Sequence, residues 1–407
     1  PEAKELVGIP DPETFCQLPW DKKVARVFVT CFRNREERKN PGAHLTSDCR
    51  GNLRIHAQEF KKKHGYQLRV GTEPEMMWLT KNEDGTPTGK GYSKPYCYHI
   101  DQFESLRPVF MQVMKYARAM GLDMIQGDHE DAPGQLELNW MYDDVLRNAD
   151  RLTTYRQICA QVAREFNLIA CFMSKPFMGV SANGCHTNVS LWKGGELKST
   201  PIGNNPLPGM DQVFTHISGG ENMFMPDPKI DAVKPGPVGL NSIAGLLKHL
   251  PALTCLGSPT VNSYRRLWDT GFWAPVYADW GYQNRTCSVR VSAPGRVEYR
   301  SVDSSHNPYL MGAGILKAFE DGLDNKMDPG EPEKKNIYDA MKEGKEVDKL
   351  PLTLGEAIQR LDADDTIKAA LPEDMLRVFM HYKNDEWEKF LSAVTQWDVD
   401  TYLDVLP

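Results

Sequence analysis

Two glutamates, Glu130 and Glu137, flank an Ala132-Pro133-Gly134-Gln135 turn. A turn of this composition places Glu130 at the end of one extended segment and Glu137 at the start of the next, so that both carboxylates can point into one site. Carboxylates held in this way usually bind a metal ion. A polar hairpin with solvated acids explains this stretch alone equally well, so other segments must decide between the two interpretations.

A second pair of carboxylates occurs at Glu73 and Glu75, within a strand candidate that covers residues 66–79. Residues two apart on a strand share one face and lie about 6.5 to 7 Å apart along it. Because like charges repel, such a pair destabilises the fold unless a cation or an arginine offsets it. The pair therefore indicates a nearby positive charge.

A histidine begins a third strand candidate, at residues 186–192, in which polar and apolar residues alternate. The alternation places His186, Asn188 and Ser190 on one face of the strand. A single histidine is more often a structural residue than a metal ligand, so His186 gains importance only alongside the carboxylates.

Arginines follow the same two-residue pattern in the second half of the chain. Arg296, Glu298 and Arg300 share one strand face, and the segments 262–266 and 285–290 add further arginines. A surface ladder of ion pairs explains the first group by itself. In a chain of acidic overall charge, however, the gathering of arginines favours recognition of a polyanion in a cleft, and phosphate is the expected anion.

Together these segments offer five carboxylate side chains and one imidazole. Such a hard ligand set suits Mg²⁺ or Mn²⁺ and is poor for structural zinc. Divalent ions that bridge phosphate oxygens, with arginines around them, are the requirements of phosphoryl transfer from ATP. No glycine-rich phosphate loop competes, because residues 85–91 have the wrong spacing for one. The candidate metal ligands are Glu73, Glu75, Glu130, Glu137, His186 and Glu298.

These side chains require strands to carry them and helices to cover the strands. Helices are predicted at residues 104–120, 144–166, 239–256, 307–320, 353–360 and 374–403. The strongest, 144–166, carries an apolar stripe with helical spacing, which is typical of a core face. Other expectations are a strand at 24–30, loops around a short helix at 203–237 and a charged loop at 321–349. The pattern predicts an α+β fold whose sheet is largely antiparallel.

Composition limits the class of protein further. The 407 residues carry a net charge of −7, with 41% hydrophobic and 25% charged residues, so the chain can bury a large core but is a poor binder of nucleic acid. No apolar run approaches the roughly 20 residues that cross a bilayer, and the first residues do not resemble a signal peptide. The nine cysteines lack a Cys-x-x-Cys pair, which suits free thiols in a reducing compartment. We therefore predict a cytoplasmic protein without nucleic-acid or membrane partners.

The order of these motifs adds a resemblance to a known family. From about Leu18 to the C-terminus the chain resembles the glutamine synthetase family. Seven motifs that occur in the family's order carry the resemblance, at residues 71–75, 130–137, 183–190, 262–267, 284–285, 296–300 and 307–309.

The resemblance implies a catalytic domain on a curved antiparallel sheet, with ATP entering at one end and glutamate at the other. It implies that one metal ion is held by Glu75, Glu130 and Glu137, and a second by Glu73, His186 and Glu298. It places Arg266 and Arg300 at the glutamate carboxylates and the developing phosphate, Arg285 and Arg290 at the nucleotide phosphates, and Ser190 and Trp192 at the adenosine.

The implied reaction has two steps: ATP phosphorylates the γ-carboxylate of L-glutamate, and an amine then attacks the γ-glutamyl phosphate. Ammonia-using members carry Gly-Tyr-Glu-Ala-Pro in a flap, where this chain has Gly271-Phe272-Trp273-Ala274-Pro275. Replacement of a carboxylate by the Trp273 indole disfavours ammonium and favours a carbon-bearing amine, unless the indole merely packs the flap. The flap and the C-terminal region most resemble the γ-glutamyl-amide ligases of amine catabolism, such as γ-glutamylmethylamide and γ-glutamylanilide synthetases.

We therefore expect a ligase that joins L-glutamate to a primary organic amine and depends on ATP and on Mg²⁺ or Mn²⁺. Its expected catalytic residues are Arg266, Arg300 and Trp273. One alternative is a glutamine synthetase that uses ammonia. Another is a non-catalytic relative with a structural or binding role, against which the intact cluster of repelling carboxylates argues.

The resemblance also bears on the rest of the chain. It implies an N-terminal β-grasp domain, of which residues 1–17 are interpreted as an incomplete end, followed by the catalytic domain at 18–407. It implies a large ring-shaped homo-oligomer with active sites shared between neighbours. The sequence around Tyr338 resembles a loop whose tyrosine is adenylylated in regulated bacterial members, although relatives without that control share the loop.

Overall fold

We analysed the chain as a computed structural model. The structure describes residues 6–36, 39, 44–89, 97–201, 213–229, 231–268, 274–344 and 346–405. Seventeen strands occur in this part of the chain: β1 (Val7–Pro10), β2 (Cys16–Leu18), β3 (Asp21–Arg26), β4 (Val29–Phe32), β5 (Tyr66–Lys81), β6 (Pro87–Thr88), β7 (Met124–His129), β8 (Gln135–Trp140), β9 (Asp143–Asp144), β10 (Ile169–Cys171), β11 (Cys185–Lys193), β12 (Glu196–Pro201), β13 (Val213–Ser218), β14 (Glu221–Asn222), β15 (Trp280–Tyr282), β16 (Val289–Ala293) and β17 (Arg296–Tyr299).

Eleven α-helices accompany the strands in the described residues. They are α1 (Cys49–His64), α2 (Ile100–Ala119), α3 (Val145–Glu165), α4 (Pro237–Gly257), α5 (Ser263–Trp268), α6 (Pro308–Asp324), α7 (Ile337–Lys342), α8 (Leu354–Asp362), α9 (Asp365–Lys368), α10 (Glu373–Ser392) and α11 (Gln396–Tyr402). None of these helices is both long and apolar enough to span a membrane.

One large sheet dominates the fold. Its main path has the strand order β15-β16-β17-β11-β5-β8-β7, and four short strands pair along it to give eleven strands in all. The pairs are antiparallel except β15 with β16. Strand β5 runs through the centre for 16 residues, pairing with β11 and β10 on one side and with β8 on the other. The predicted α+β fold with a largely antiparallel sheet is therefore confirmed.

The helices cover the sheet as the apolar patterns require. Helix α3 buries Val145, Leu152, Ile158 and Val162 against the sheet and its neighbours, which confirms the predicted stripe. Phe166 continues the spacing of the stripe in the sequence, but it caps the helix end and is exposed. The Asp144 carboxylate accepts a hydrogen bond from the Leu146 amide and so begins the helix.

The prediction of one continuous strand at 24–30 is wrong, because that segment is divided between two strands with different partners. Strand β3 ends at Arg26 and pairs with β2, whereas β4 begins at Val29 and pairs with β1. Between them the Phe28 amide donates to the Thr14 hydroxyl, and the Phe28 carbonyl accepts from the Asp11 amide. These two hydrogen bonds join Phe28 to residues 11–14, so β3 and β4 do not form one continuous strand.

Two other segments differ in detail from the sequence predictions. Within 203–237 the described residues form β13 and β14 and reach a helix only at Pro237, while residues 203–212 lie outside the described part. The charged 321–349 segment contains α7, which begins where the Asn336 side chain accepts from the Tyr338 amide. All nine cysteines are free thiols, as predicted.

Candidate active site

Strand register brings the predicted site residues to one place on the sheet. His186 on β11 lies opposite Glu73 on β5, and Asn188 lies opposite Glu298 on β17. Two residues further along β5, Glu75 faces Glu137 of β8. Cross-strand partners lie about 4.5 to 5.5 Å apart, so four strands that are distant in sequence present their polar side chains to a common space.

That space is a cavity of about 530 Å³ that opens over the centre of the sheet. All six candidate metal ligands line it, and so do the arginines at positions 266, 285, 290 and 300. The other lining residues are Cys97, Tyr98, Gln126, Asp128, Asp131, Gln135, Asn139, Lys175, Ser181, Ala182, Ala274 and Arg296.

His186 stands at the centre of the carboxylates. Its Nδ1 atom is 3.6 Å from a Glu73 oxygen, 3.7 Å from a Glu75 oxygen and 3.8 Å from a Glu298 oxygen. Ligand atoms of Glu73, Glu137 and His186 all lie within 4.8 Å of one another. A β-carbon at Gly184 would meet Arg266, His186 and Glu75 at 3.1 to 3.3 Å, so a larger residue there would crowd the cluster.

Neutral groups fix the carboxylates in place. The Gly184 amide donates to Glu75 at 2.7 Å, and the Asn188 side chain donates to Glu73 at 2.8 Å. The Asn139 side chain donates to Glu137, also at 2.8 Å. These donors orient the oxygens but bring no positive charge, so they leave the repulsion between the carboxylates in place.

The repulsion appears in the pKa values of the acids. Burial, followed by the charges of Glu73 and Glu75, raises the pKa of Glu137 well above its usual value. Burial and the Glu75 charge raise the pKa of Glu130 to about 8. The pKa of His186 is lowered well below its usual value, first by burial and then by the charge of Arg300, so its imidazole is neutral and available as a ligand.

This donor set fits divalent cations. Several buried carboxylates and one neutral imidazole converge, and a cation would offset the burial and the mutual repulsion that raise the pKa values of the acids. Oxygen donors dominate the set, as Mg²⁺ and Mn²⁺ prefer. These residues are therefore chemically suited to bind a divalent metal ion.

Arg266, Arg285, Arg290 and Arg300 line the cavity beside the carboxylates and are here called the arginine wall. Glu298 accepts from Arg290 Nη1 at 2.8 Å and from Arg300 Nη1, so it joins the two guanidinium groups. Arg266 is 5% exposed and donates to the Arg300 carbonyl at 3.2 Å. Buried guanidinium nitrogens of Arg266, Arg290 and Arg300 have no hydrogen-bond partner within the described residues. Unsatisfied donors of this kind are suited to an anionic ligand.

Three predicted site residues are not among those that the structure brings to the cavity. Ser190 and Trp192 lie further along β11, where the Trp192 indole donates to the Ser190 hydroxyl at 2.9 Å. The Trp192 ring also stacks on Tyr142, with ring centroids 6.0 Å apart. Trp273 lies outside the described residues. The roles of all three stay predictions.

The structure also adds residues that the sequence analysis did not single out. Gln126 and Asp128 on β7, and Asn139 on β8, line the cavity at two-residue intervals from Glu130 and Glu137. That period was visible in the sequence and could have identified them. Lys175 is 4% exposed, and its ammonium donates to the Val180 carbonyl. No sequence pattern marks Lys175, because only the fold of the 175–184 loop brings it to the cavity.

Comparisons with known proteins agree with this geometry. The sequence profile described as the catalytic domain of glutamine synthetase matches residues 46–402. A glutamine synthetase of Pyrococcus furiosus is 34% identical over 423 residues, which cover 98% of this chain and 86% of the relative. A glutamine synthetase of Rhizobium leguminosarum bv. phaseoli is 33% identical over 414 residues, covering 100% of this chain and 87% of the relative.

Solved structures give the same result. GmaS without ligand and GmaS in complex with ADP each match with a TM-score of 0.84 and 30% identity, over 100% of this chain and 87% of the other. The family profile spans most of the chain, and the carboxylate cluster and the arginine wall lie in one cavity. This chain belongs to the glutamine synthetase catalytic-domain family of ATP-dependent ligases.

Proposed function

We propose that the protein is an ATP- and Mg²⁺-dependent ligase, able to use Mn²⁺, that joins the γ-carboxylate of L-glutamate to a primary organic amine. The single observation that carries the reaction class is the cavity in which repelling carboxylates around His186 lie beside three arginines with unsatisfied donors. This arrangement has a place for cations beside a place for anions, as phosphoryl transfer requires.

The carboxylate wall would hold two divalent ions. Glu75, Glu130 and Glu137 would bind one, and Glu73, His186 and Glu298 the other. When bound, such ions neutralise phosphate charge and polarise the oxygen that is displaced. The residues themselves contribute rigidity, because Gly184, Asn188 and Asn139 hold three of the carboxylates in fixed orientations before any substrate arrives.

The arginine wall would bind the anionic groups of both substrates. Arg266 and Arg300 would contact glutamate and the phosphoryl group during transfer, and Arg285 and Arg290 would contact the nucleotide phosphates. Arg300 donates to one carboxylate oxygen of Glu298, and Arg290 donates to the other and to the Gln283 side chain, so each arginine keeps further N–H donors for substrates. Preorganised donors of this kind stabilise charge as it develops in the transition state. Ser190 and Trp192 would contact the adenosine.

The organic amine is the finer part of the proposal and depends on Trp273. An indole offers apolar area and a π face to a carbon-bearing amine, whereas it cannot attract ammonium as a carboxylate does. Ammonia is the second candidate, favoured by the names of the curated relatives, which are glutamine synthetases. A ring-shaped homo-oligomer with shared active sites, and the cytoplasmic location, are further parts of the same proposal.

The test is phosphate release from ATP by the purified protein with Mg²⁺ and L-glutamate. Ammonium, methylamine, isopropylamine and aniline are compared at equal free-base concentration, and the products are identified by mass. We expect one organic amine to give the highest kcat/KM and a γ-glutamyl product. Preference for ammonium would overturn the organic-amine assignment and leave a glutamine synthetase.

A substitution at the flap sharpens this test. Trp273→Glu should shift the preference toward ammonium, because a carboxylate attracts the small cation. The control is Trp397→Glu, which replaces an exposed tryptophan of α11 and should leave the order of amines unchanged. Equal amine preferences in Trp273→Glu and the unaltered protein would show that the indole does not select the amine.

A further inference from the structure

Arg285 lines the cavity, and the turn that carries it is bonded to residues 333–338, which are not among the lining residues. We propose that residues 333–338, here called the bracing segment, are a positioning element that fixes Arg285 for nucleotide phosphate. The inference deepens the proposed function and rests on it, since it presupposes that Arg285 binds phosphate. It goes further by assigning roles to Asn284 and Thr286 and by giving Tyr338 a structural partner.

Both sequence neighbours of Arg285 are bonded to the bracing segment. The Asn284 side-chain amide donates to the Lys335 carbonyl at 2.7 Å. The Ile337 amide donates to the Thr286 hydroxyl oxygen at 3.0 Å. The turn is also closed internally, because the Thr286 hydroxyl donates to the Asn284 side-chain oxygen at 2.7 Å. The backbone that carries Arg285 is thus bound on either side of that residue.

The start of the bracing segment is fixed to β15. The Glu333 amide donates to the Trp280 carbonyl at 2.7 Å. At Gly281 an added β-carbon would come within 2.5 Å of the Glu333 carbonyl oxygen, so the two backbones approach more closely than any larger residue permits. The bracing segment is also anchored near its end by Ile337, whose side chain is fully buried.

The end of the bracing segment reaches the cavity wall. The Tyr338 phenol donates to the Ala274 carbonyl at 3.0 Å, and Ala274 lines the cavity. The Tyr338 ring packs edge-on against Tyr277, with centroids 6.2 Å apart. Burial, then the nearby Tyr277 and Asp279, raises the pKa of Tyr338 to about 12, so the phenol stays protonated as a donor. The Tyr338 hydroxyl therefore connects the bracing segment to Ala274 in the cavity lining.

Arg285 itself lines the cavity. Burial lowers the pKa of its guanidinium, but the nearby Tyr98 phenol and the charges of Glu298 and Glu130 raise it above its usual value. A long side chain loses rotamer freedom when it binds an anion, and a fixed backbone turn reduces the freedom that remains to be lost. Release of the turn should therefore weaken phosphate binding without altering the metal ligands.

The experiment measures binding of Mg²⁺·ADP by calorimetry, which does not depend on the identity of the amine. Thr286→Val keeps the shape of the side chain and removes the acceptor for the Ile337 amide, and we expect it to weaken binding about 5-fold. Thr286→Ser restores the hydroxyl and should bind within about twofold of the unaltered protein. Arg285→Ala should bind at least about 10-fold more weakly.

The matched control is Thr254→Val. Thr254 is a buried threonine of α4 whose hydroxyl bonds the Leu250 carbonyl, so its loss tests a general effect of removing a buried hydroxyl. We expect its ADP affinity to equal that of the unaltered protein, and melting temperatures show that each variant is folded.

The outcomes separate the inference from its premise. If Arg285→Ala binds weakly but folded Thr286→Val binds as the unaltered protein does, the bracing role is overturned and the proposed function stands. If Arg285→Ala binds ADP normally, the premise that Arg285 contacts phosphate is overturned, and the inference with it. Failure of the unaltered protein to bind Mg²⁺·ADP would overturn the proposed function itself.

Discussion

Buried carboxylates occur in two regions of this molecule under opposite conditions. Asp150, on α3, is 8% exposed and accepts from Arg50 Nε at 2.9 Å, from Arg50 Nη2 at 2.8 Å and from the Tyr309 phenol at 2.7 Å. Glu137, in the cavity, is 7% exposed and accepts from the neutral Asn139 side chain, while Glu73, Glu75 and Glu130 surround it. One carboxylate is matched by the protein's own cation, and the other is not.

The pKa values reflect this difference. Burial by itself would lower the pKa of Arg50, but its bonds to Asp150 and Asp11 raise that pKa above its usual value. Burial and neighbouring acids both act to raise the pKa of Glu137. A fold retains uncompensated buried charge where a ligand supplies the compensation. The Arg50 and Asp150 pair is therefore typical of a structural charge pair, whereas the acids around Glu137 are typical of a ligand-binding site.

The largest effect is expected when the uncompensated cluster is changed. Glu137→Gln keeps the size of the side chain and removes one repelling charge, so we expect a higher melting temperature without metal ions. Turnover should fall at least about 1000-fold, equivalent to about 4 kcal/mol, because a metal ligand is lost. Mn²⁺ should raise the melting temperature of the unaltered protein, and this rise should be smaller in Glu137→Gln.

Glu196→Gln is the control for this change, since Glu196 is an exposed glutamate of β12 outside the cavity. Its turnover and its response to Mn²⁺ should match those of the unaltered protein. Full turnover in Glu137→Gln would contradict the functional interpretation of the cluster.

The second change breaks the compensated pair and should act in the opposite sense. Asp150→Asn leaves Arg50 buried with Asp11 as its remaining carboxylate partner, so the free energy of unfolding should fall by about 3 to 5 kcal/mol. Turnover per folded molecule should stay within about twofold of the unaltered value. Urea unfolding and steady-state phosphate release measure the two quantities.

An exposed pair provides the control for burial. Asp374 bonds Arg33 at 2.9 Å, but both side chains are about half exposed, so Asp374→Asn should not change the unfolding midpoint measurably. A loss of turnover in Asp150→Asn as large as that in Glu137→Gln would remove the distinction between the two regions.

The smallest effect concerns a compensated pair that titrates. His249 is bonded by Asp364 at 2.6 Å and by Asp321 at 2.9 Å, and Lys248 also bonds Asp321. Burial lowers the pKa of His249, but the two carboxylates outweigh burial and raise it. The stabilisation is therefore complete below the ordinary histidine pKa of about 6.5 and is lost as pH rises through the higher folded value.

Melting temperatures measured from about pH 6 to about pH 9 test this prediction. The melting temperature of the unaltered protein should fall with pH relative to that of His249→Gln, which cannot gain the charge. Parallel profiles for the two proteins would show that His249 does not titrate in this range.

Much of the fold and of the site could be predicted from the sequence, because both depend on local periods. The apolar stripe of α3 has the spacing of a helix, and the two-residue spacing of Glu73 and Glu75 is that of one face of a strand. The turn between Glu130 and Glu137 likewise predicts the β7 and β8 hairpin. The strand predicted at 24–30 failed because the Phe28 backbone is bonded to a turn 14 residues earlier, which no local pattern shows.

Local sequence patterns identify which residues could do chemistry and which face of each strand they occupy. The pairing of His186 with Glu73, the pairing of Glu75 with Glu137 and the position of Lys175 in the cavity follow only from the folded chain. The reason is physical: a period of two fixes a side chain's face, but the register between strands far apart in sequence is set by packing of the whole core.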